Sequence, residues 1–341
     1  MKKEKISIAI VGATGLVGTT FIKILEERNF PLDKLTLFAS EKSQDTILIF
    51  RGEHYEIKVI NEQSFEGIDI ALLSAGGNVA MKYAPIAAKS GCIVIDNSSA
   101  WRQHNKVPLI VPEVNPEVIV NHSGIISNPN CSTIQLVVAL KPLQDAFGIR
   151  RVVVSTYQSI TGAGFKGIHQ LERELANKPI VNPVTKHPIA NNTFFHPITD
   201  PAGFSIEEIK MRNETRKILG KADLPIAVTC VRLPIIGGHG ESVNIEFEKD
   251  CTVEEIKEVL TNQEGIILVD DPQNEVYPTI RKAQDTDFVY VGRVRKDESV
   301  ANGAYLWIVA DNVRKGAATN AVQIAEIIVE KGWFDFQYSA F

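Results

Sequence analysis

Ile6-Ser7-Ile8-Ala9-Ile10-Val11-Gly12-Ala13-Thr14-Gly15-Leu16-Val17-Gly18 is the stretch that decides the architecture. The β-branched run Ile6–Val11 reads as a buried strand that stops at Gly12. From 16 to 28, Leu16, Phe21, Ile24 and Leu25 recur at helical spacing with charges between them. Glycines between a strand and a helix allow a tight turn and let backbone N–H groups approach a pyrophosphate at the helix N-terminus. Gly12 and Gly15 are therefore candidate cofactor-binding residues. The spacing is G-x-x-G-x-x-G rather than G-x-G-x-x-G, and a tight turn without a ligand is the alternative; the strand before it and the helix after it favour a dinucleotide.

Working outward, Leu35–Ala39, Ile68–Ser74, Cys92–Asp96 and Leu109–Val111 are further short apolar runs, with a helical stretch reaching about Lys89. Strand–helix alternation predicts a parallel, doubly wound α/β sheet with right-handed crossovers. The second half has longer, alternating runs at Arg151–Gln158, Ile226–Pro234, Glu241–Glu248, Phe288–Arg295 and Tyr305–Asp311. Val243, Ile245 and Phe247 share one face and Asn244 and Glu246 the other, as in a sheet with one buried side. Helices are expected at 132–147, 163–176, 205–219, 252–262 and 315–331. The predicted fold is α/β: a Rossmann-type domain over 1–130, completed by 315–341, and an α+β domain over 131–314 with a largely antiparallel or mixed sheet.

The chain has 341 residues, 44% hydrophobic and 23% charged, with a formal net charge of −5. That profile fits a soluble globular protein and argues against a general nucleic-acid binder, which carries a basic excess. No run of roughly 18 apolar residues predicts a membrane span, and the N-terminus lacks a secretory pattern. Four cysteines lie far apart with no C-x-x-C pair, so no metal site or disulfide scaffold is expected. The expected location is cytoplasmic.

Ala39-Ser40-Glu41-Lys42-Ser43 follows the second strand, where an NAD enzyme usually places a ribose-binding carboxylate. Ser40, Lys42 and Ser43 suit a 2′-phosphate, so NADP is expected, with Glu41 leaving NAD open. Ser127-Asn128-Pro129-Asn130-Cys131-Ser132-Thr133 ends polar turn residues on a cysteine that opens an apolar helical pattern. A helix N-terminus stabilises a thiolate, which makes Cys131 a candidate nucleophile for acyl transfer. A thiol nucleophile needs a base. His239, in Ile236-Gly237-Gly238-His239-Gly240-Glu241 between two strands, is the candidate, against the plain alternative of a structural histidine; the other histidines sit in polar or loop-like stretches. Tyr157-Gln158-Ser159-Ile160-Thr161-Gly162 closes a strand with groups able to orient a substrate. Glu207 and Lys210 are helical neighbours at i, i+3. Arg102 follows a strand end, and Arg232 stands among apolar neighbours, which points to an anion or an ion pair.

Taken together these strings resemble the aspartate-β-semialdehyde dehydrogenases over Ile8 to about Ile327. Gly-Ala-Thr-Gly-Leu-Val-Gly at 12–18, Leu-Ser-Ala-Gly-Gly at 73–77, Asp-Asn-Ser-Ser-Ala at 96–100, the Cys131 string, Tyr-Gln-Ser at 157–159, Cys-Val-Arg at 230–232 and Lys-Gly-Ala-Ala-Thr-Asn at 315–320 carry the likeness. The resemblance implies NADPH-dependent reductive dephosphorylation of L-aspartyl 4-phosphate to L-aspartate 4-semialdehyde and phosphate through a Cys131 thioester. It implies His239 as acid–base residue and Gln158 as the residue orienting the acyl group. Arg232 would hold the α-carboxylate, Glu207 the ammonium, and Arg102 and Lys210 the phosphate, with Asn97 and Asn130 also in the substrate set. Thr14, Gly15, Leu16 and Val17 would form the pyrophosphate loop, and Thr161, Gly162 and Asn320 would lie near the nicotinamide. A homodimer follows from the resemblance alone. Relatives commonly have arginine where this chain has Lys42, and His-Ser-Glu where it has His239-Gly240-Glu241. N-acetyl-γ-glutamyl-phosphate reductase, with the same chemistry and an acylated amine, is the rival enzyme; a catalytically silent NADP-binding module is the rival outside enzymes.

Overall fold

The computed structural model describes Lys3 and residues 5–338. Residues 339–341, part of the expected closing segment, lie outside the described residues. The chain divides into two compact units, Met1–Asn130 with Ala317–Phe341, and Cys131–Gly316.

In the first unit β1 (Ile6–Val11) runs into α1 (Leu16–Glu27), followed by β2 (Leu32–Ala39), the hairpin β3 (Ile47–Phe50) and β4 (Glu53–Val59), β5 (Ile70–Leu73), α2 (Gly77–Lys89), β6 (Ile93–Asp96) and β7 (Ile125–Ser127). The sheet order is β3-β4-β2-β1-β5-β6-β7. All neighbours pair parallel except the β3–β4 hairpin. The order reverses at β1, so the crevice beyond its carboxyl end, where Gly12 begins, is the expected ligand position in such a sheet. Successive β1 residues feed two cores. Ile6, Ile8 and Ile10 pack with the apolar residues of α1, whereas Ala9 and Val11 pack with Ala80, Ala84 and Ala87 of α2. A strand buried on both faces explains why its run is apolar throughout.

One expected strand is different. Of Leu109–Val111 only Leu109 bridges the sheet, to Ser127. The Val111 N–H instead donates to Asn115 Oδ1 at 2.9 Å, and the Asn115 amide donates to the Leu109 carbonyl. A side chain satisfies the backbone there, and β7 takes the edge position.

The second unit opens on α3 (Cys131–Phe147) and continues with β8 (Ile149–Gln158), α4 (Gly164–Leu175), β9 (Phe194–Phe195), α5 (Ile206–Ile218), β10 (Ile226–Arg232), β11 (His239–Phe247), α6 (Val253–Thr261), β12 (Ile266–Leu268), α7 (Ile280–Ala283), β13 (Val289–Asp297) and β14 (Gly303–Ala310). Its sheet runs β12-β13-β14-β11-β8-β10-β9. β11 is antiparallel to both neighbours, while β10 joins β8 and β12 joins β13 in parallel, so the sheet is mixed. α3 is buried along almost its whole first three turns, which holds its N-terminus in place. α5 starts where Ser205 and Glu208 form a reciprocal capping box. The expected closing helix starts as a π-helical turn, Arg314–Ala318, before α8 (Thr319–Lys331), which belongs to the first unit. Among the described residues no helix is long and apolar enough to cross a membrane.

Gly18 packs α1 directly on the glycine turn: a Cβ there would lie 2.1 Å from the Gly12 carbonyl oxygen, a backbone atom with no room to move. Gly18→Ala is expected to cost about 1–3 kcal/mol in denaturant unfolding and to weaken dinucleotide binding in a titration. A variant with wild-type stability would show that the turn yields freely.

Candidate active site

The thiol and the imidazole meet because two elements begin at the same place. Cys131 is the first residue of α3 and His239 the first of β11, and Cys131 Sγ lies 3.3 Å from His239 Nε2. Gly316 backs the thiol: a Cβ at that position would sit 2.9 Å from the Cys131 Cβ.

Sheet register builds the rest. Arg232 of β10 pairs with Gln158 of β8, and Gly240 of β11 pairs with Tyr157, which sets His239 beside Gln158 at the ladder's end. One row across three strands thus reads Arg232, Gln158, His239. The row beneath is Cys230, Thr156, Glu241, and beneath that Val228, Val154, Val243. Side chains two apart on a strand share a face, so the chemistry-bearing row continues a core-facing row of the fold.

Gln158 is fully buried and its amide is shared. Nε2 donates to Ser132 Oγ at 2.5 Å and to Glu207 Oε1 at 3.3 Å, and Oε1 meets His196 Nε2. Glu207 pairs with Lys210 at 3.3 Å, one turn along α5. Arg232 Nη1 donates to the Ser159 carbonyl at 2.5 Å, and Nη2 lies 3.5 Å from His196 Nδ1. Burial lowers the Arg232 pKa, opposed first by Glu207 and then by Cys131. A Cβ on Gly162 would come within 2.7 Å of Arg232 Nη1, so the glycine admits the guanidinium. The second unit therefore brings Cys131, His239, Gln158, Arg232, Glu207, Lys210, Thr161 and Gly162 into one constellation.

His239 is fully buried, and burial, reinforced by the Arg232 charge, pushes its pKa down to about 3, with Glu207 and the Gly238 carbonyl opposing. The ring is thus neutral in neutral solution, and with Nδ1 accepting a hydrogen bond its one proton lies on Nε2, toward the Cys131 sulfur. Its Nδ1 accepts from the Ser159 N–H at 3.0 Å, with Ser159 Oγ 3.4 Å away. Ser159 Oγ in turn donates to Asn312 Oδ1 at 3.1 Å, an oxygen that also accepts from Thr161 Oγ1 at 2.7 Å.

Several participants were not legible in the sequence. His196 follows a two-residue edge strand that pairs with β10 at Arg232 and Val231; only that pairing brings it to Gln158 and Arg232. Burial and the Arg232 charge push His196 to about 4. Ser132, Ser159, Asn312 and Gly316 likewise gain meaning only from spatial neighbours.

In the first unit, Arg102 Nε donates to the Asn128 carbonyl and Nη2 to the Asn97 carbonyl, both at 2.9 Å. Asn128 donates to Asn97 Oδ1 at 2.7 Å and to the Ala317 carbonyl at 3.1 Å. Asn320 is fully buried and donates to Asn128 Oδ1 at 2.7 Å and the Ile110 carbonyl at 3.0 Å. These bonds fix the turn Ser127–Asn130 that leads into Cys131. The glycine turn fits a dinucleotide. Gly15 precedes α1 at the cap position with no side-chain cap bond, leaving backbone donors open, and a Cβ on Gly12 would lie 2.5 Å from the Ser74 carbonyl oxygen. Ser40 and Lys42 are exposed just after β2, and Ser43 Oγ lies 3.3 Å from Thr14 Oγ1, tying that turn to the glycine turn. Among the described residues no cluster of His, Cys, Asp or Glu is arranged to hold a metal.

A helix-terminal thiol beside a buried imidazole, on a mixed sheet in a chain that also carries a dinucleotide-type α/β unit, is the set of parts an oxidoreductase working through a thiol would need. Comparison with known proteins gives the family. Residues 7–122 match the semialdehyde dehydrogenase NAD binding domain and residues 140–315 the semialdehyde dehydrogenase dimerisation domain. An aspartate-semialdehyde dehydrogenase of Aquifex aeolicus is 52% identical over 95% of this chain and 98% of that protein, and one of Bacillus subtilis is 47% identical over 94% and 96%. The crystal structure of aspartate semialdehyde dehydrogenase II of Vibrio cholerae complexed with ASA superposes with a TM-score of 0.91 at 44% identity, covering 96% of this chain and 99% of that one. That of Candida albicans with NADP gives 0.77 at 25% identity, covering 96% and 99%. The chain belongs to the semialdehyde dehydrogenase family, within the aspartate-semialdehyde dehydrogenases.

A histidine held neutral in the fold costs stability in acid. Below its ordinary 6.5 the unfolded chain takes up a proton that the folded ring refuses down to about 3. Lowering the pH from about 7 to about 5 is expected to depress the melting temperature less in His239→Asn than in the wild type, with His196 supplying part of the remaining slope. Identical slopes in the two proteins would contradict the buried neutral ring.

Proposed function

We propose that this chain catalyses the reversible, NADPH-dependent reductive dephosphorylation of L-aspartyl 4-phosphate to L-aspartate 4-semialdehyde and inorganic phosphate. The single observation that carries the reading is the Cys131 Sγ–His239 Nε2 contact at 3.3 Å, at a helix N-terminus beside the buried amide of Gln158. The Cys131 proton passes to solvent, the helix N-terminus and the His239 Nε2–H hold the thiolate, and its sulfur attacks the acyl carbon, forming a C–S bond as the C–O bond to phosphate breaks. NADPH, when bound, supplies the hydride that reduces the thioester. His239 then exchanges a proton with the oxygen of the resulting thiohemiacetal, which collapses to aldehyde and free thiol. Gln158 orients the acyl group, Arg232 takes the α-carboxylate, and Arg102 and Lys210 are the cations for phosphate. Asn97 and Asn130 complete the substrate-binding set.

Glu207 supports the free-amine substrate over the N-acetylated one. A buried carboxylate beside Gln158 offers an ammonium partner, and an acylated amine carries no charge to meet it. NADP is the proposed cofactor because no carboxylate ends β2 and Lys42 and Ser43 follow it; Thr161, Gly162 and Asn320 are the residues proposed to serve its nicotinamide end. A homodimer is proposed from the second unit, whose sheet leaves Tyr157 exposed against Trp307 on the face away from the buried row.

In the reverse direction, aldehyde, phosphate and NADP⁺ should give phosphate-dependent NADPH formation that falls at least about a thousandfold in Cys131→Ala. Turnover of N-acetylglutamate semialdehyde in place of L-aspartate semialdehyde would move the assignment to the rival reductase. Lys42→Ala should lower kcat/KM for NADP⁺ by about 10- to 100-fold, the worth of one charged hydrogen bond, and leave the NAD⁺ value within about threefold. Equal loss with both cofactors would remove Lys42 from the 2′-phosphate site.

A further inference from the structure

Glu241 has no part in the chemistry above, yet it is fully buried two residues along β11 from His239 and on the same face. Across the sheet it pairs with Thr156, which pairs with Cys230; neither neighbour is a cation. From the helix side it meets Gln135, which lies one turn along α3 from Cys131. The Gln135 amide already reaches the dyad's strand, with Nε2 donating to the His239 carbonyl at 3.4 Å. Both Glu241 carboxyl oxygens, Gln135 Oε1 and Thr156 Oγ1 are buried without a hydrogen bond of good geometry. Burial raises the Glu241 pKa well above its ordinary 4.5, and only the Gln135 side chain opposes it.

A carboxylate in this place has four acceptor sites and no donor, and so cannot serve the open acceptor of Gln135. A protonated acid has one O–H donor to give it. We infer that Glu241, held as a neutral carboxylic acid, and Gln135 form a polar brace between β11 and α3 that sets the separation of His239 from Cys131. Both are positioning residues acting through the thiol–imidazole pair. The brace rests on the reading of Cys131 and His239 as nucleophile and acid–base partner. It is best tested by the rate and pH profile of Cys131 alkylation by iodoacetamide, located by peptide mass, which does not depend on the identity of the substrate.

Glu241→Gln keeps the volume, the neutrality and a donor, and is expected to leave the alkylation profile and kcat within about threefold of wild type. Glu241→Leu keeps the volume and removes every polar atom; alkylation and kcat are expected to fall about tenfold or more, with KM little changed. A folded Glu241→Leu protein with wild-type alkylation would overturn the brace and leave a core filler. A folded but unreactive Glu241→Gln protein would overturn the neutral-acid assignment. If Glu241→Leu fails to fold, Gln135→Met reads the other end of the brace by the same two measurements, and wild-type reactivity there overturns it. The melting curve supplies an independent sign. An acid with a raised pKa loses folding free energy as pH climbs above 4.5, so Glu241→Gln should gain on the wild type with rising pH, and parallel curves would contradict the inference.

Discussion

Everything in the second unit is arranged around one short distance, the 3.3 Å between Cys131 Sγ and His239 Nε2. Neither residue can be placed by its own segment. Cys131 is held because α3 is buried on nearly all sides over its first turns, so the helix cannot rotate or slide without opening the core. His239 is held because its Nδ1 meets the Ser159 N–H at the end of β8. The π-helical turn brings Gly316 against the thiol, and a side chain there would occupy the space of the Cys131 Cβ. The imidazole is buried to the point of neutrality, which turns its Nε2–H toward the sulfur and weakens the fold in acid.

The mixed sheet reconciles that demand with ordinary packing. Along β8 the buried face reads Val152, Val154, Thr156, Gln158, and along β11 it reads, from the other end, Phe247, Ile245, Val243, Glu241, His239. The strands keep their alternation throughout, but the core face turns from aliphatic to polar over the last two rows. Aliphatic rows anchor the register and polar rows use it. Because the register is fixed, Arg232, Gln158 and His239 fall in line although they lie far apart in sequence. Burying polar groups this way has a cost, visible at Glu241 and Thr156, whose buried oxygens meet no partner at good hydrogen-bond geometry.

The strand–turn–helix at the N-terminus was legible because its signals are local: a β-branched run, glycines at the turn, and apolar residues at helical spacing. The cysteine at the head of α3 was legible for the same reason, and the capping box at Ser205 marks a helix start in the chain itself. The hairpin of β3 and β4 was not, since its residues are largely exposed and carry no core periodicity. Leu109–Val111 misled because its apolar side chains are buried while its backbone is satisfied by Asn115. The mixed pairing of the second sheet has no local signature, because parallel and antiparallel neighbours present the same alternation along a strand.

By itself the sequence determined the two kinds of unit, the glycine turn and the cysteine at a helix start, and through residue-by-residue likeness it singled out His239, Gln158 and Arg232 as candidates. Only the tertiary structure decided that His196 stands on Gln158 and Arg232, that Gly162 makes room for a guanidinium, that Asn320 holds Asn128, and that Glu241 lies beneath His239 with no cation across the sheet from it. The division has a physical cause. Helix starts, glycine turns and hydrophobic periods are set by interactions within a few residues, which a sequence displays directly. Which polar side chains share a buried row depends on strand register and helix placement, and these are fixed only when the whole core closes.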